Sequence, residues 1–266
     1  MKISVIVPTY KPQAYLRECL DSIYNQTFPK NDYELILVLN GCNEPFNAQI
    51  KEWLSKHSDL QAQYFQTDEG GVSNARNIGL DNVRGEYITF IDDDDYVSPF
   101  YLQQLYSKAS PNTISLCYPY AFNDGKPDIQ LPYPITCAYD KWVDKQPVKF
   151  SSTVRKFFSG PCMKLIPMSF IHDRRFNPDF RNGEDSLFMF LISDKFDNFA
   201  FTDRSAVYYR RYRTGSAMTS YRSRSEIIRN SFSILWEYTH FFFKGIPHYN
   251  FGFYVTRMLA TIRSMI

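Results

Sequence analysis

The chain has 266 residues, a formal net charge of +2, 44% hydrophobic residues and 17% aromatic ones. That length suits one large domain, or a domain with an appendage, and the balanced charge argues neither for nor against a polyanionic partner. Five scattered cysteines without a CxxC pair exclude a disulfide framework and a zinc site and fit a reducing cytoplasm, and no apolar run reaches the roughly 18 residues that a membrane span needs.

Residues 3–7 are apolar and largely β-branched, end at Pro8, and predict a strand buried on both faces, as in a parallel sheet. Tyr15, Leu16, Leu20, Ile23 and Tyr24 recur at helical spacing behind Pro12. A second buried strand is predicted over 33–39, a turn-rich loop over 40–44, a helix over 46–57 and a short strand over 63–66. Gly70 and Gly71 open a helix over 72–83, and Gly85 leads into the apolar run Tyr87, Ile88, Thr89, Phe90 and Ile91. Beyond it the pattern predicts a helix over 100–109, a strand over 113–118 and an irregular excursion over 120–150. Helices over 164–170 and 185–192, a strand over 206–209, and two aromatic-rich helices over 225–243 and 249–265 complete the chain.

Strands alternating with helices indicate an open α/β sheet built from βαβ units, in which ligands bind at the carboxyl ends of the strands. Thr9 and Tyr10, Asn40 and Gly41, and Asp92 to Asp95 all sit at such ends, so three polar clusters are expected to converge on one crevice. Four adjacent carboxylates repel one another and cost least when solvated or when a cation sits among them. Hard divalent cations bind through one or two carboxylates plus substrate phosphates, so Asp92 to Asp95 point to a metal–diphosphate site. An EF-hand fails by spacing, because its glycine would be Val97 and its bidentate glutamate Gln103. Residues 201–266 hold ten Lys or Arg against three Asp or Glu, a local charge of +7. That basic, aromatic tail suits a phosphate-rich ligand or an anionic membrane surface; a solvated helical face is the plain alternative.

Four segments in order, PTYKPQAYLRECLDSIYNQT, GGVSNARNIGL, GEYITFIDDDDYVSP and NGEDSLF, closely resemble the inverting family-2 glycosyltransferases of the GT-A fold. The resemblance runs from about Ile3 to about Ser216. It implies a Rossmann-like α/β fold, with a mixed, mostly parallel sheet flanked by helices and a helical C-terminal extension. It implies a glycosyltransferase domain over 1–219 and a basic, aromatic extension over 220–266. The implied activity is transfer of a sugar from a nucleotide diphosphate, with UDP the expected nucleotide, to an acceptor hydroxyl in bacterial-type surface polysaccharide or lipopolysaccharide synthesis. Mn²⁺ or Mg²⁺ is the implied cofactor.

By the same resemblance, Asp185 matches the catalytic base, and Asp94 the direct metal ligand in the element begun by Asp92; Asp92 or Asp93 would contact ribose or the metal shell. Pro8, Thr9 and Tyr10 match the loop that lies against the base. Asn40 stands where the family usually has an Asp that accepts from the uracil ring. Arg76, on the first turn of its helix, would contact base or phosphate, with Asn74 and Asn77 in support. Glu184 and Lys164 fall on the acceptor side, a surface lysine being the even alternative for Lys164. Tyr209, Arg210, Tyr212, Arg213 and Ser216 match a flap over the diphosphate, and Arg210, Arg211 and Arg213 stay unranked.

The Asn40 departure keeps a second reading open, a non-catalytic nucleotide- or glycan-binding module or partner subunit. A sugar-nucleotide-forming nucleotidyltransferase ranks low, since residues 8–12 lack a glycine-rich loop. The expected partners are a nucleotide-sugar donor and a glycan or lipid-linked acceptor, with no nucleic acid. The tail aromatics are expected either to dock a cytoplasmic chain on the inner face of the plasma membrane, or to close the underside of the sheet or form a homodimer contact.

Overall fold

The computed structural model describes residues 1–146, 148–213 and 223–265. Its first half alternates as expected: β1 (Ile3–Thr9), α1 (Ala14–Tyr24), β2 (Tyr33–Asn40), α2 (Phe46–Lys56), β3 (Ala62–Thr67), α3 (Val72–Asp81) and β4 (Tyr87–Phe90). Then come β5 (Tyr96–Val97), α4 (Tyr101–Ser107), β6 (Thr113–Leu116), β7 (Tyr118–Asn123), α5 (Pro134–Trp142) and β8 (Val148–Lys149). The rest comprises β9 (Lys164–Pro167), α6 (Met168–Ile171), α7 (Glu184–Leu191), β10 (Asn198–Phe201), β11 (Val207–Tyr212), α8 (Arg224–Lys244) and α9 (Phe251–Arg263).

β1 lies between β2 and β4, parallel to both, and β3 extends β2 in parallel. β9 runs antiparallel between β4 and β6, β10 is parallel to β6, and β8 closes the edge antiparallel to β10. The order of this large sheet is β3-β2-β1-β4-β9-β6-β10-β8, and a second sheet has the order β5-β11-β7.

The continuous apolar strands follow from burial on two faces. Ile6, Ile36 and Val38 point to the core that also takes in Ala75, Phe188 and Phe190, while Val5, Val7, Leu35, Leu37 and Leu39 pack with Leu16, Leu20, Ile50 and Leu102 on the other side. α3 lies very close to β1: a Cβ on Gly79 would come within 2.5 Å of Ile6 Cγ2. Ile234, Tyr238, Phe242 and Phe253 carry α8 and α9 into the first of these cores. Ser223 and Glu226 form a capping box at the start of α8. Among the described residues no helix is long and apolar enough to cross a membrane.

Three local expectations need correction. Residues 164–170, read as a helix, form a central antiparallel strand and one helical turn. Residues 120–150, read as irregular, include most of β7, the nine-residue α5 and the edge strand β8. The strand read over 113–118 is two, β6 and β7, belonging to different sheets.

Candidate active site

The polar ends of β1 and β2 and the opening of α3 are tied together by their own side chains. The Thr9 hydroxyl donates to Asp93 Oδ2 at 2.5 Å. Asn40 Nδ2 donates to the Thr9 carbonyl at 2.8 Å, and Asn40 Oδ1 accepts from the Gly71 N–H at 2.9 Å. Gly41 adopts φ +64°, and its Cα side lies so close to Gly70 that a Cβ would come within 2.9 Å of the Gly70 Cα. Beside this junction Tyr10 is 52% exposed, with the Lys11 ammonium 5.3 Å from its ring centroid, and follows the buried Pro8 and Thr9.

Residues 92–95 turn tightly, with the Asp95 N–H donating to the Asp92 carbonyl at 3.0 Å. Burial pushes the Asp93 carboxyl up to about 7, against the Thr9 hydrogen bond and with Asp94 and Asp92 adding to the rise. Burial likewise raises Asp94 and Asp95 above the usual carboxylate range. Arg213 Nε donates to Asp94 Oδ2 at 2.7 Å, and its guanidinium lies 4.6 Å from the Tyr15 ring centroid. Arg211 buckles the turn to β11: its N–H donates to Asp95 Oδ1 at 2.7 Å and its Nε to the Asp94 carbonyl at 2.8 Å, while its outer nitrogens reach Asp124 and Glu18. Arg210 donates to the Tyr133 hydroxyl at 2.9 Å and lies 5.5 Å from the Tyr212 ring.

Arg76 joins the acidic turn to the start of α7. It is 3% exposed, and it donates from Nη1 to Asp185 Oδ1 at 2.5 Å and from Nη2 to Asp92 Oδ1 at 2.9 Å. Its guanidinium lies 5.3 Å from the Phe176 ring, which Asn77 fixes through hydrogen bonds to both the Phe176 N–H and carbonyl. Burial raises the Asp185 carboxyl, Arg76 opposes that rise, and Asp92 adds to it. The guanidinium therefore favours the charged form of Asp185 and limits that rise in a half-buried place. Glu184, half-buried at the first position of α7, also favours the charged form of Arg76. Lys164 donates to the Gly160 and Cys162 carbonyls, both at 2.6 Å, and a Cβ on Gly160 would lie 3.6 Å from Asp185 Oδ2. Burial lowers the Lys164 ammonium to about 8.

Thus Thr9, Asn40, Gly71, Asp92 to Asp95, Arg76 and Asp185, distant in sequence, form one connected cluster. Arg76 lies on the second turn of α3, correcting the first-turn expectation, and its hydrogen bonds go to two carboxylates. Lys164 is buried, so the surface alternative is wrong. Of the three unranked arginines, Arg213 meets Asp94, Arg211 braces the acidic turn, and Arg210 meets Tyr133. Ser216 lies outside the described residues. Phe176 and Gly160 carry no signal in the sequence, and Tyr15 reads there only as a helix residue; each acts through a contact between segments far apart in the chain. Among the described residues no three His, Cys, Asp or Glu side chains gather as a ligand set. The turn offers single carboxylates of a kind that suits a cation whose remaining ligands come with a phosphate or water.

Comparison with known proteins agrees with this architecture. The chain is 40% identical over 107 residues to glycosyltransferase GlyA of Streptococcus pneumoniae, covering 40% of this chain and 15% of that protein. It is 38% identical over 98 residues to the poly(ribitol-phosphate) beta-N-acetylglucosaminyltransferase TarS of Staphylococcus aureus, covering 37% of this chain and 17% of TarS. The chain thus spans under a fifth of the length of these relatives. The crystal structure of TarS in complex with UDP-GlcNAc superposes with a TM-score of 0.73 over 99% of this chain and 73% of that one, at 22% identity. The mannosyltransferase PcManGT from Pyrobaculum calidifontis, solved with GDP-Man and Mn²⁺, gives a TM-score of 0.67 at 18% identity, covering 99% of this chain and 72% of that one. These likenesses establish the GT-A fold, with its mostly parallel sheet and helical C-terminal end. Residues 4–174, more than half of the chain, match the model of glycosyl transferase family 2, and the chain belongs to that family.

Proposed function

We propose that the chain is a nucleotide-sugar glycosyltransferase that uses a UDP-sugar, inverts the anomeric carbon, and adds to a bacterial-type surface glycan. The observation that carries this reading is the Asp92–Arg76–Asp185 bridge, which sets the acidic turn and the α7 carboxylate in one cluster. The similarity to TarS, a poly(ribitol-phosphate) beta-N-acetylglucosaminyltransferase, and to a minor teichoic acid biosynthesis protein of Bacillus subtilis supports the substrate class.

In this reading Asp185 is the base. The acceptor hydroxyl oxygen bonds to the anomeric carbon as the carbon–oxygen bond to the diphosphate breaks; the bonding pair leaves with the diphosphate, and the hydroxyl proton passes to Asp185. Arg76 fixes that carboxylate in direction and favours its charged form. Lys164 holds the Gly160 and Cys162 carbonyls, and so the loop beside Asp185. Tyr10 offers its exposed ring to the base, with Pro8, Thr9 and Asn40 beneath it. Asp92 or Asp93 contacts the ribose or the metal shell. Arg210, Tyr212 and Arg213, at the end of β11, contact the diphosphate, for which planar guanidinium groups are suited. The acidic turn suits a hard divalent cation by its donors, adjacent carboxylate oxygens gathered in one tight turn, whose burial and mutual repulsion a positive charge relieves. Asp94 would hold Mn²⁺ or Mg²⁺, which when bound offsets the charge that develops on the leaving diphosphate.

The C-terminal helices support peripheral attachment to an anionic membrane. Tyr238, Phe242 and Phe253 turn inward, as the sheet-closing alternative expects, but Phe232, Trp236 and Phe243 fall on one exposed stripe of α8, and Phe251, Leu259 and Ile262 on one of α9. Flotation with anionic liposomes at low salt is expected to carry wild type upward and to leave Phe232→Ser/Trp236→Ser behind; no binding by wild type refutes attachment. For the transferase itself, UDP release is measured across UDP-sugars and glycan acceptors with Mn²⁺. Turnover of at least one pair is expected, and nucleotide binding without any turnover would refute the reading in favour of a binding module.

A further inference from the structure

Behind the start of α7, a pocket of about 310 Å³ opens between α7, α8, α9 and the 3-10 turn Ser152–Phe158. Arg257 of α9 lines it and is 4% exposed, yet its Nε and Nη2 hydrogen-bond to no described residue. Its guanidinium lies 4.9 Å from the Phe253 ring, a contact that satisfies no N–H. Burial lowers it to about 10, with Tyr238 opposing and the second arginine of the pocket, Arg155, adding to the fall. No carboxylate is among the lining residues; the remaining polar groups include the hydroxyls of Ser159, Ser186, Tyr238 and Thr261. A buried guanidinium with unpaired donors and a like charge beside it is costly unless an anion completes it.

The Ser159 and Ser186 hydroxyls donate to the Lys156 and Gly183 carbonyls and the Tyr238 hydroxyl meets Ser186, so the donors left for a ligand are chiefly guanidinium N–H groups. Two guanidinium groups lining one pocket that holds no carboxylate suit a tetrahedral oxyanion, whose three or four oxygens each take more than one donor. The place is equally specific. Gly183 and Ser186, which line the pocket, flank Asp185 in sequence; Ser159, which also lines it, precedes the Gly160 backbone packed beside Asp185 Oδ2. The pocket and the cleft therefore share two backbone segments.

We propose that this pocket binds a phosphate group carried by the acceptor, held by Arg155 and Arg257 while the acceptor hydroxyl extends to Asp185. The word acceptor rests on the transferase reading above; the phosphate site does not, and it can be measured without turnover. The full chain is melted in inorganic phosphate, in glycerol 3-phosphate, and in chloride of matched ionic strength. Wild type is expected to gain a saturable, phosphate-specific rise in Tm. Arg155→Gln is expected to weaken the apparent affinity about tenfold, the worth of one charge-assisted contact, with UDP affinity unchanged. Arg257→Met is expected to abolish the rise without lowering Tm in chloride, since it removes a buried charge that lacks a partner. Absence of a phosphate-specific rise, or an equal rise in wild type and Arg155→Gln, overturns the site even if Arg257→Met does not fold. Glycerol 3-phosphate binding at least as tightly as inorganic phosphate supports a substituted phosphate; inorganic phosphate binding about tenfold tighter overturns the acceptor assignment in favour of the free ion. A chain that binds phosphate but turns over no donor keeps the pocket and loses the transferase reading.

Discussion

Replacing Arg76 with Met removes the cation between Asp92 and Asp185 while keeping an unbranched side chain against Phe90 and Phe176. Deleting one partner of a buried ion pair costs about 3–5 kcal/mol. Here the guanidinium is buried, but the Asp92 and Asp185 side chains keep 40% and 32% of their surface, so water recovers part of that loss. We expect Arg76→Met to lower stability by about 2–3 kcal/mol, a fall in Tm of about 4–10 °C. Asp185 is already raised by burial and by Asp92, with Arg76 opposing. Without that opposition it rises further, so the acid limb of the transfer rate moves to higher pH and less base is ionised at neutrality. Arg76→Lys offers one point charge to two carboxylates and is expected to fall between. Asp92→Asn added to Arg76→Met removes one of the two stranded carboxylates and is expected to restore at least about 1 kcal/mol. Thermal melts and pH profiles of UDP release read both effects. Unchanged melting together with an unmoved acid limb would refute the assignment of Arg76 as the brace of Asp185.

Chelation by EDTA is expected to abolish transfer, with recovery on adding Mn²⁺ or Mg²⁺, and Asp94→Asn is expected to lose about 10²-fold or more of the metal-stimulated rate with the fold intact by circular dichroism. Lys164 has a folded pKa of about 8, below its unfolded value of about 10.4, so its burial penalty is complete below pH 8 and relieved as pH rises towards 10.4. The stability of wild type relative to Lys164→Met should therefore grow with pH across that window by about 2–3 kcal/mol in denaturant titrations; a flat difference contradicts the buried ammonium. Gly79→Ala drives a methyl into Ile6, 2.5 Å from the Cβ position, and should cost about 1–3 kcal/mol of stability.

Much of the first half was legible because burial on two faces leaves unbroken apolar runs: β1 and β2 read directly from residues 3–7 and 33–39. β9 was misread because four residues, Lys164 to Pro167, run without pause into a helical turn, and the spacing of Leu165, Ile166 and Phe170 resembles a helix. What makes it a strand is the pairing with β4 and β6, supplied by distant residues. α5 was hidden by Pro134, Asp140 and Lys141, although Pro134 sits at its first position, where the missing N–H costs nothing. In the site, the acidic turn and the α7 carboxylate were readable as motifs, but the Arg76–Asp185 contact spans 109 residues and no local pattern encodes it. Arg257 looked like one more basic residue of the tail; only the packing of α8 and α9 buries it.

Asp185 is the proton acceptor of a donor complex assembled by other residues in the reading proposed above. Its most direct test is Asp185→Asn, with UDP affinity measured by calorimetry and transfer measured by UDP release, each with Mn²⁺. UDP affinity within about twofold of wild type and a fall in kcat of about 10²–10⁴ are expected. Transfer at the wild-type rate would contradict that role, as would a loss of UDP binding that accounts for the whole loss of rate.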